Sequence, residues 1–213
     1  MKEETWKTWW EEHADPETFL QVQQPRTRNV RLIIYDMMKS ILKPEDSILD
    51  VACGPARDYN AITEMGYKWV GVDMTTKFVN YVRDTYGAEM HQMNVTEGLN
   101  FKRGEFTMSY AKDLFEHLEP NKWRKVVSDM WSVSKKYMLL SFFRPPNENE
   151  TVYRTVKTGG TAGVYSHQYS RKEFADYIRN MEGVDTVSIK ESLLYKKKEA
   201  LPRGYSIWLV KRV

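Results

Sequence analysis

The 213-residue chain has a single cysteine, Cys53, so no internal disulfide framework can brace it. No apolar run approaches the roughly 20 residues that a membrane helix needs. The opening Met1-Lys2-Glu3-Glu4-Thr5-Trp6 lacks the apolar segment of a signal peptide. Neither charge dominates: 32 basic residues against 29 acidic ones leave +3, a balance that does not indicate nucleic acid. Internal repeats, low-complexity tracts and Gly/Ser linkers are also missing. With 41% hydrophobic and 13% aromatic residues the chain is nonetheless rich enough in apolar mass for one sizeable core. The expectation is one soluble, cytoplasmic domain without membrane association.

What is present falls into two rhythms. From Trp6 to Gln24 the pattern reads as helical pieces, with Asp15-Pro16 as cap and first-turn proline. From Thr27 to Leu42, Val30, Ile33, Ile34, Met37, Met38 and Ile41 recur at helical spacing. Short apolar runs then appear at Ser47–Val51, Trp69–Asp73, Glu89–Asn94, Phe106–Ala111 and Tyr137–Phe143. Helical stretches separate most of them, near Asp58–Met65, Lys77–Tyr86 and Asn121–Ser134. Alternation of this kind predicts an α/β fold, a doubly wound and mostly parallel sheet with helices on both faces. Ser170-Arg171-Lys172-Glu173 is a capping-box pattern opening one more helix. Val184–Glu191 and Tyr205–Arg212 follow with no helix between them, so they pair as an antiparallel hairpin. About seven strands result. Residues 1–42 read as an N-terminal helical lid or cap, and 43–213 as the core, with an insert at about 144–169.

Ligands of open α/β sheets bind outside the carboxyl ends of the strands. The first such end is Asp50-Val51-Ala52-Cys53-Gly54-Pro55-Ala56-Arg57. Small side chains at Ala52, Gly54 and Ala56 allow close backbone approach. No Gly-Lys-Ser/Thr follows, and the Gly-x-Gly-x-x-Gly spacing is absent, which disfavours a P-loop or a dinucleotide site. Asp50 can accept hydrogen bonds from a bound amine. Asp73, 23 positions on at the end of the second strand, is placed to accept ribose hydroxyls. Met74 is placed to pack on an adenine face and Asn94 to meet an adenine edge.

Taken together, these segments resemble the cofactor motifs of class I S-adenosylmethionine-dependent methyltransferases over about residues 25–212. Leu114-Phe115-Glu116-His117-Leu118 is similar to a run common in small-molecule members. The resemblance implies S-adenosylmethionine as cofactor, S-adenosylhomocysteine as product, and a small-molecule acceptor methylated on oxygen or nitrogen. It places Asp50 and the backbone of Ala52 and Gly54 at the methionine portion and Asp73 at the ribose. Met74 would lie beside the adenine and Asn94 with Val95 at its edge, while Ala111 and Lys112 would lie beneath the sulfonium. Arg28 would meet the carboxylate. The family prefers glycine where this chain has Ala52 and Ala56, a departure that would shift the loop. An acceptor on RNA or protein, and a non-catalytic binding module, are the competing readings.

Other residues carry two readings each. His117 is a general base or a cap of the next helix, and His167 a base or a packed ring. Tyr169 is read as a substrate contact in the wall of the site, and Arg144 as a contact to an anionic substrate group or simply an exposed residue. Trp6, Trp9 and Trp10 form ordinary packing or a lid. Cys53 reads as a small buried residue rather than a nucleophile. No His/Asp/Glu cluster has convincing metal spacing, and Ala111-Lys112-Asp113-Leu114 stands where nucleic-acid amine methyltransferases carry Asn/Asp-Pro-Pro-Tyr/Phe.

Overall fold

Five parallel strands form the larger part of the sheet, beginning with Ser47-Ile48-Leu49-Asp50-Val51, whose Ile48, Leu49 and Val51 are fully buried. Burial on both faces is what a parallel strand between two helical layers requires. In the computed structural model, residues 3–143, 145–148, 150–153, 155–158, 162–194 and 203–213 are described. Helices α1 (Glu3–His13) and α2 (Pro16–Ile41) precede β1 (Ser47–Val51). Then follow α3 (Tyr59–Glu64), β2 (Lys68–Asp73), α4 (Thr76–Tyr86), β3 (Met90–Gln92) and β4 (Phe106–Lys112). A 3-10 turn at Phe115–His117 leads to α5 (Trp123–Val133) and β5 (Ser134–Phe142). The chain ends with β6 (Thr155–Thr158), β7 (Ala162–Tyr165), α6 (Arg171–Arg179), β8 (Val184–Leu194) and β9 (Arg203–Arg212).

The strand order is β3-β2-β1-β4-β5-β9-β8 in one seven-stranded sheet. Strands β1 to β5 pair in parallel, and β9 pairs antiparallel with both β5 and β8. The order reverses between β1 and β4, where Asp50 is in register with Gly71 of β2 and Tyr110 of β4. That switch point places the carboxyl ends of β1, β2 and β4 around one crevice.

Two cores flank the sheet. One face packs α5 and α6 around an aromatic group in which Trp123 stacks on Phe174 at 4.5 Å and Phe174 meets Phe142 and Trp208 edge-on. The other packs Val30, Ile34, Met37 and Met38 of α2 over Ile48, Met108 and Leu139. Gly71 fits only as glycine, because a Cβ there would stand 2.2 Å from Trp69 Cη2 and 2.7 Å from Met90 Sδ.

The expected caps form: Asp15 Oδ1 accepts from the Glu17 amide at 3.2 Å, and Ser170 Oγ from the Glu173 amide at 3.3 Å. Two expectations need correction. The second helix is one 26-residue element running through position 25, not separate pieces ending at Gln24 and resuming at Thr27. A proline removes only one N–H from the ladder, and the buried stripe from Val30 to Met38 anchors the C-terminal half. The insert also contains a hairpin of its own, with β6 and β7 paired antiparallel from Thr155↔Tyr165 to Thr158↔Ala162. Among the described residues no helix is long and apolar enough to cross a membrane.

Candidate active site

The loop after β1 takes its shape from three left-handed residues, Ala52 (φ 56°), Gly54 (φ 57°) and Ala56 (φ 51°). Alanine tolerates this conformation at a cost of roughly 1–2 kcal/mol per residue. The two alanines therefore do not shift the loop: they hold the geometry that glycine would reach without strain. A contact that compensates is visible, since the Gly54 amide donates to Asp73 Oδ2 at 2.9 Å and the Cys53 amide to the Val72 carbonyl at 3.1 Å. Asp73 Oδ1 accepts from the Thr75 amide at 2.9 Å. The Asp73 carboxylate thus ties the first loop to the second strand end. Burial pushes its carboxyl up, against the pull of the Thr75 and Gly54 amides.

Asp50 is 4% exposed and accepts from Trp69 Nε1 at 3.1 Å. Burial, reinforced by the neighbouring Asp58 carboxylate, pushes its carboxyl up to about 8. Asp58 is the centre of a buried polar network. Its two oxygens accept from Tyr35 Oη at 2.6 Å and Tyr110 Oη at 3.0 Å, and Arg31 Nη1 stands 3.8 Å away. Lys112 Nζ, reaching from the end of β4, pairs with Asp113 Oδ2 at 2.8 Å. Burial pulls the Lys112 ammonium down, but Asp113 and Asp58 outweigh it and the net shift is upward. Asp113 is itself left-handed (φ 57°). Three buried atoms beside this network, Arg31 Nε, Asp113 Oδ1 and Ser141 Oγ, have no hydrogen-bond partner in the protein. Buried polar groups are seldom left in that state.

Over the crevice lies the N-terminal segment. Lys7 Nζ bonds Glu97 Oε1 at 3.0 Å, and Glu11 accepts from Thr76 N at 3.0 Å and Thr76 Oγ1 at 3.1 Å. Glu11 thereby caps α4 from another part of the chain, because the N-cap Thr75 makes no side-chain cap bond. Arg57 Nη2 donates to the Phe19 carbonyl, fastening the first loop to α2. Rings continue the roof: Phe19 meets Phe78 at 5.2 Å and Trp10 at 5.8 Å, and Trp10 meets His117 edge-on at 5.6 Å.

His117 Nδ1 lies 2.7 Å from the Tyr165 carbonyl of β7. A carbonyl only accepts, so Nδ1 carries the hydrogen and Nε2 of the neutral ring carries the lone pair. Phe143 stacks on the same ring at 5.4 Å. His167 is 1% exposed, enclosed by Tyr153, Tyr165 and Tyr169. Burial pulls its imidazole down to about 4, so it stays neutral and is a weak base.

Several expected site residues are placed otherwise. Asn94 uses its amide locally: Nδ2 donates to Glu97 Oε1 at 2.6 Å, and Oδ1 accepts from Thr96 N and Oγ1. Val95 is buried in the core with Leu49 and Val72, and Ala111 is buried there too. Tyr169 is 1% exposed with its hydroxyl on the Phe115 carbonyl at 2.6 Å, which makes it a core brace rather than a substrate wall. Met74, next to Asp73, is half-buried. Arg144 and the Arg28 side chain lie outside the described residues. Sequence reasoning did not single out Asp58, Asp113 or Glu11. Only the Arg57-Asp58 pair, abruptly charged after a run of small residues, offered a signal.

Residues 48–137 match the methyltransferase domain family. The matched segment runs from β1 into β5. Solved structures of like fold include a SAM-dependent methyltransferase of Methanosarcina mazei, 14% identical, covering 83% of this chain and 97% of that one at a TM-score of 0.66. The magnesium protoporphyrin IX methyltransferase of Synechocystis, solved with bound SAM, is 13% identical over 97% of this chain and 95% of its own, TM-score 0.70. The 1,6-didemethyltoxoflavin-N1-methyltransferase of Burkholderia thailandensis is 14% identical, covering 92% and 86%, TM-score 0.62. No curated protein sequence matches the chain significantly.

Proposed function

We propose that this methyltransferase moves the methyl group of S-adenosylmethionine to an oxygen or nitrogen of a small-molecule acceptor, with residues 1–42 as a lid over the core at 43–213. The observation that carries the reading is the joined pair of strand ends, Gly54 on Asp73 at 2.9 Å, roofed by Trp10 and Phe19. The residues fit the cofactor. Each Asp73 oxygen keeps acceptor capacity for a ribose hydroxyl, and a Cβ built at Gly54 meets only Phe78, at 3.9 Å, so the loop leaves space. The unpartnered Arg31 Nε donor and Asp113 Oδ1 acceptor match the carboxylate and ammonium of an amino-acid end. Met74, half-buried next to Asp73, would flank the adenine.

When bound, the cofactor supplies an electrophilic methyl group on a sulfonium. The protein supplies orientation, exclusion of water and proton removal. His117 takes the acceptor's proton at Nε2, because its Nδ1 hydrogen is held by Tyr165. His167, held neutral by burial, serves the wall behind it. A lid tethered at Lys7, Glu11 and Arg57 favours a small acceptor over a folded polymer.

Calorimetry with S-adenosylmethionine and S-adenosylhomocysteine, followed by tritiated-methyl transfer to metabolite pools, RNA and protein, tests this. Binding of both, transfer to small molecules, and loss of transfer but not of binding in His117→Ala are expected. Absence of binding ends the donor assignment, label in macromolecules only ends the acceptor assignment, and binding without any transfer identifies a non-catalytic module.

A further inference from the structure

We infer that Asp58 is a positioning residue for the amino-acid end of the methyl donor: held by the hydroxyls of Tyr35 and Tyr110, its carboxylate orients the Arg31 guanidinium toward the donor's carboxylate. The inference rests on the methyl-transfer reading of the site. Its starting point is a local anomaly. Asp58 stands at the N-cap of α3, where an aspartate ordinarily accepts from the first amides of the helix, yet its side chain makes no cap bond. The carboxylate is turned into the interior instead, 6% exposed, and both of its oxygens are taken by hydroxyls of other elements. Burying a carboxylate is costly, and here the cost is not repaid by capping.

Arg31 and Tyr35 lie one helical turn apart on α2, so they share a face and approach the same oxygen. Tyr35 Oη stands 2.6 Å from Asp58 Oδ1, and Arg31 Nη1 stands 3.8 Å from it. Tyr110, fully buried in β4, holds Oδ2 at 3.0 Å. At 3.8 Å the arginine contact is an ion pair but too long for a hydrogen bond. The Tyr35 hydroxyl occupies Oδ1 and keeps the carboxylate from closing on the guanidinium. Arg31 is thereby oriented through Nη1 without being consumed, and its Nε, buried with no partner in the protein, is left to donate. The planar guanidinium suits a carboxylate in a way that an ammonium does not.

A second cation answers to the same carboxylate. Asp113 and Asp58 together outweigh the burial of Lys112 and push its ammonium upward. Lys112 Nζ pairs with Asp113 Oδ2 at 2.8 Å, and Asp113 Oδ1 is buried with no partner in the protein. An unpartnered donor on Arg31 and an unpartnered acceptor on Asp113 thus belong to the residues grouped around Asp58. A ligand that carries a carboxylate and an ammonium satisfies both, whereas adenosine by itself supplies neither charge. A purely structural brace between α2, α3 and β4 would use the same hydrogen bonds. The two roles differ in which part of the ligand feels the loss of Asp58.

The test is calorimetry on the full-length protein with S-adenosylhomocysteine and with 5′-methylthioadenosine, which keeps the adenosine and the sulfur but lacks the amino-acid end. The wild type is expected to bind S-adenosylhomocysteine more tightly. Asp58→Asn keeps the shape but offers one acceptor oxygen in place of two. It should weaken S-adenosylhomocysteine roughly tenfold or more and leave methylthioadenosine within about twofold. Arg31→Met should do the same, and adding Asp58→Asn to it should cost nothing further, because Asp58 acts through Arg31. Tyr35→Phe frees Oδ1 to close on Arg31 and should give the same selective loss, which carries the test if Asp58→Asn does not fold. No heat from either ligand with the wild type refutes the donor reading and this inference with it. Where the ligands bind, equal weakening of both by these variants shows a structural brace and overturns the inference alone. Equal wild-type affinity for the two ligands, or an undiminished effect of Asp58→Asn in the Arg31→Met background, does so as well.

Discussion

Asp50→Asn should stabilise the ligand-free protein at neutral pH, although Asp50 sits in the cofactor motif. The carboxyl is 4% exposed and is pushed from 3.8 to about 8 by burial and by Asp58. By pH 5 the unfolded chain has released this proton, whereas the folded chain keeps it until about pH 8. Folding then takes up a proton, so stability falls as pH rises through that window and levels off above it. Each pH unit is worth ~1.4 kcal/mol, so the three units from pH 4 to 7 set a ceiling of ~4 kcal/mol. Asparagine has nearly the same shape and can still accept from Trp69 Nε1, which Asp50 now does at 3.1 Å. The expected gain at pH 7 is ~1–3 kcal/mol, below the ceiling because the amide group must itself be buried. Urea unfolding of both proteins at intervals from pH 5 to pH 9 measures it. The wild type should lose stability across the series while the variant stays nearly flat, the two curves diverging toward pH 8. Parallel curves, or a variant less stable at pH 8, would refute the reasoning.

Gly71→Ala should destabilise the protein by ~1–3 kcal/mol or prevent folding, because the new Cβ meets Trp69 Cη2 at 2.2 Å; thermal melting reads it, and an unchanged midpoint counts against the packing described. His167 acts opposite to Asp50. Its folded value of about 4 lies below the ordinary 6.5, so the stability that it contributes is complete above pH 6.5 and is lost as pH falls toward 4. His167→Gln should remove that part of the acid slope in denaturant titrations between pH 7 and pH 4, and a slope that persists unaltered assigns it to other groups. Glu11→Ala should cost ~1 kcal/mol or less in global stability, as loss of a helix cap does. It should nevertheless raise amide exchange in both α1 and the first turn of α4, since Thr76 N loses its acceptor; exchange confined to α1 would show that the cap is not shared.

The parts of the fold that were legible in sequence are those in which local pattern and tertiary burial agree. Ser47–Val51 was delimited to the residue because its apolar run is buried on both faces and bounded by polar residues on one side and small ones on the other. The closing hairpin followed from the lack of a helix between two strand patterns. The second helix was read as separate segments because its regular apolar stripe begins only at Val30, whereas the helical backbone runs from Pro16. The β6–β7 hairpin was missed because a four-residue strand carries too few alternations to register. At the site, sequence placed Asp50, Gly54, Asp73 and His117 at strand ends, since each lies at the end of, or just after, an apolar run. It gave no sign that the Asn94 amide is engaged locally by Glu97, three residues away.

Residues that reach the site from a distance are a different case. Glu11 acts on Thr76 across 65 positions, and Tyr35 reaches Asp58 across 23. No periodicity links such pairs, because their meeting is decided by how α1 and α2 lie on the finished sheet. The same reasoning explains why the donor half of the site is more legible than the acceptor half. The donor half is built from successive strand ends, whose positions repeat at the period of the βα unit. The proposed acceptor half, around His117, draws on α1, the turn after β4, the end of β5 and β7. Those are segments that can vary without disturbing the parallel sheet, as loops around a rigid scaffold generally can. Acceptor specificity should therefore respond to substitutions at Trp10 and Phe143 that leave strand packing and cofactor affinity unchanged. If substitutions there lower cofactor affinity as much as acceptor affinity, the two halves are not separable and the lid belongs to the donor site.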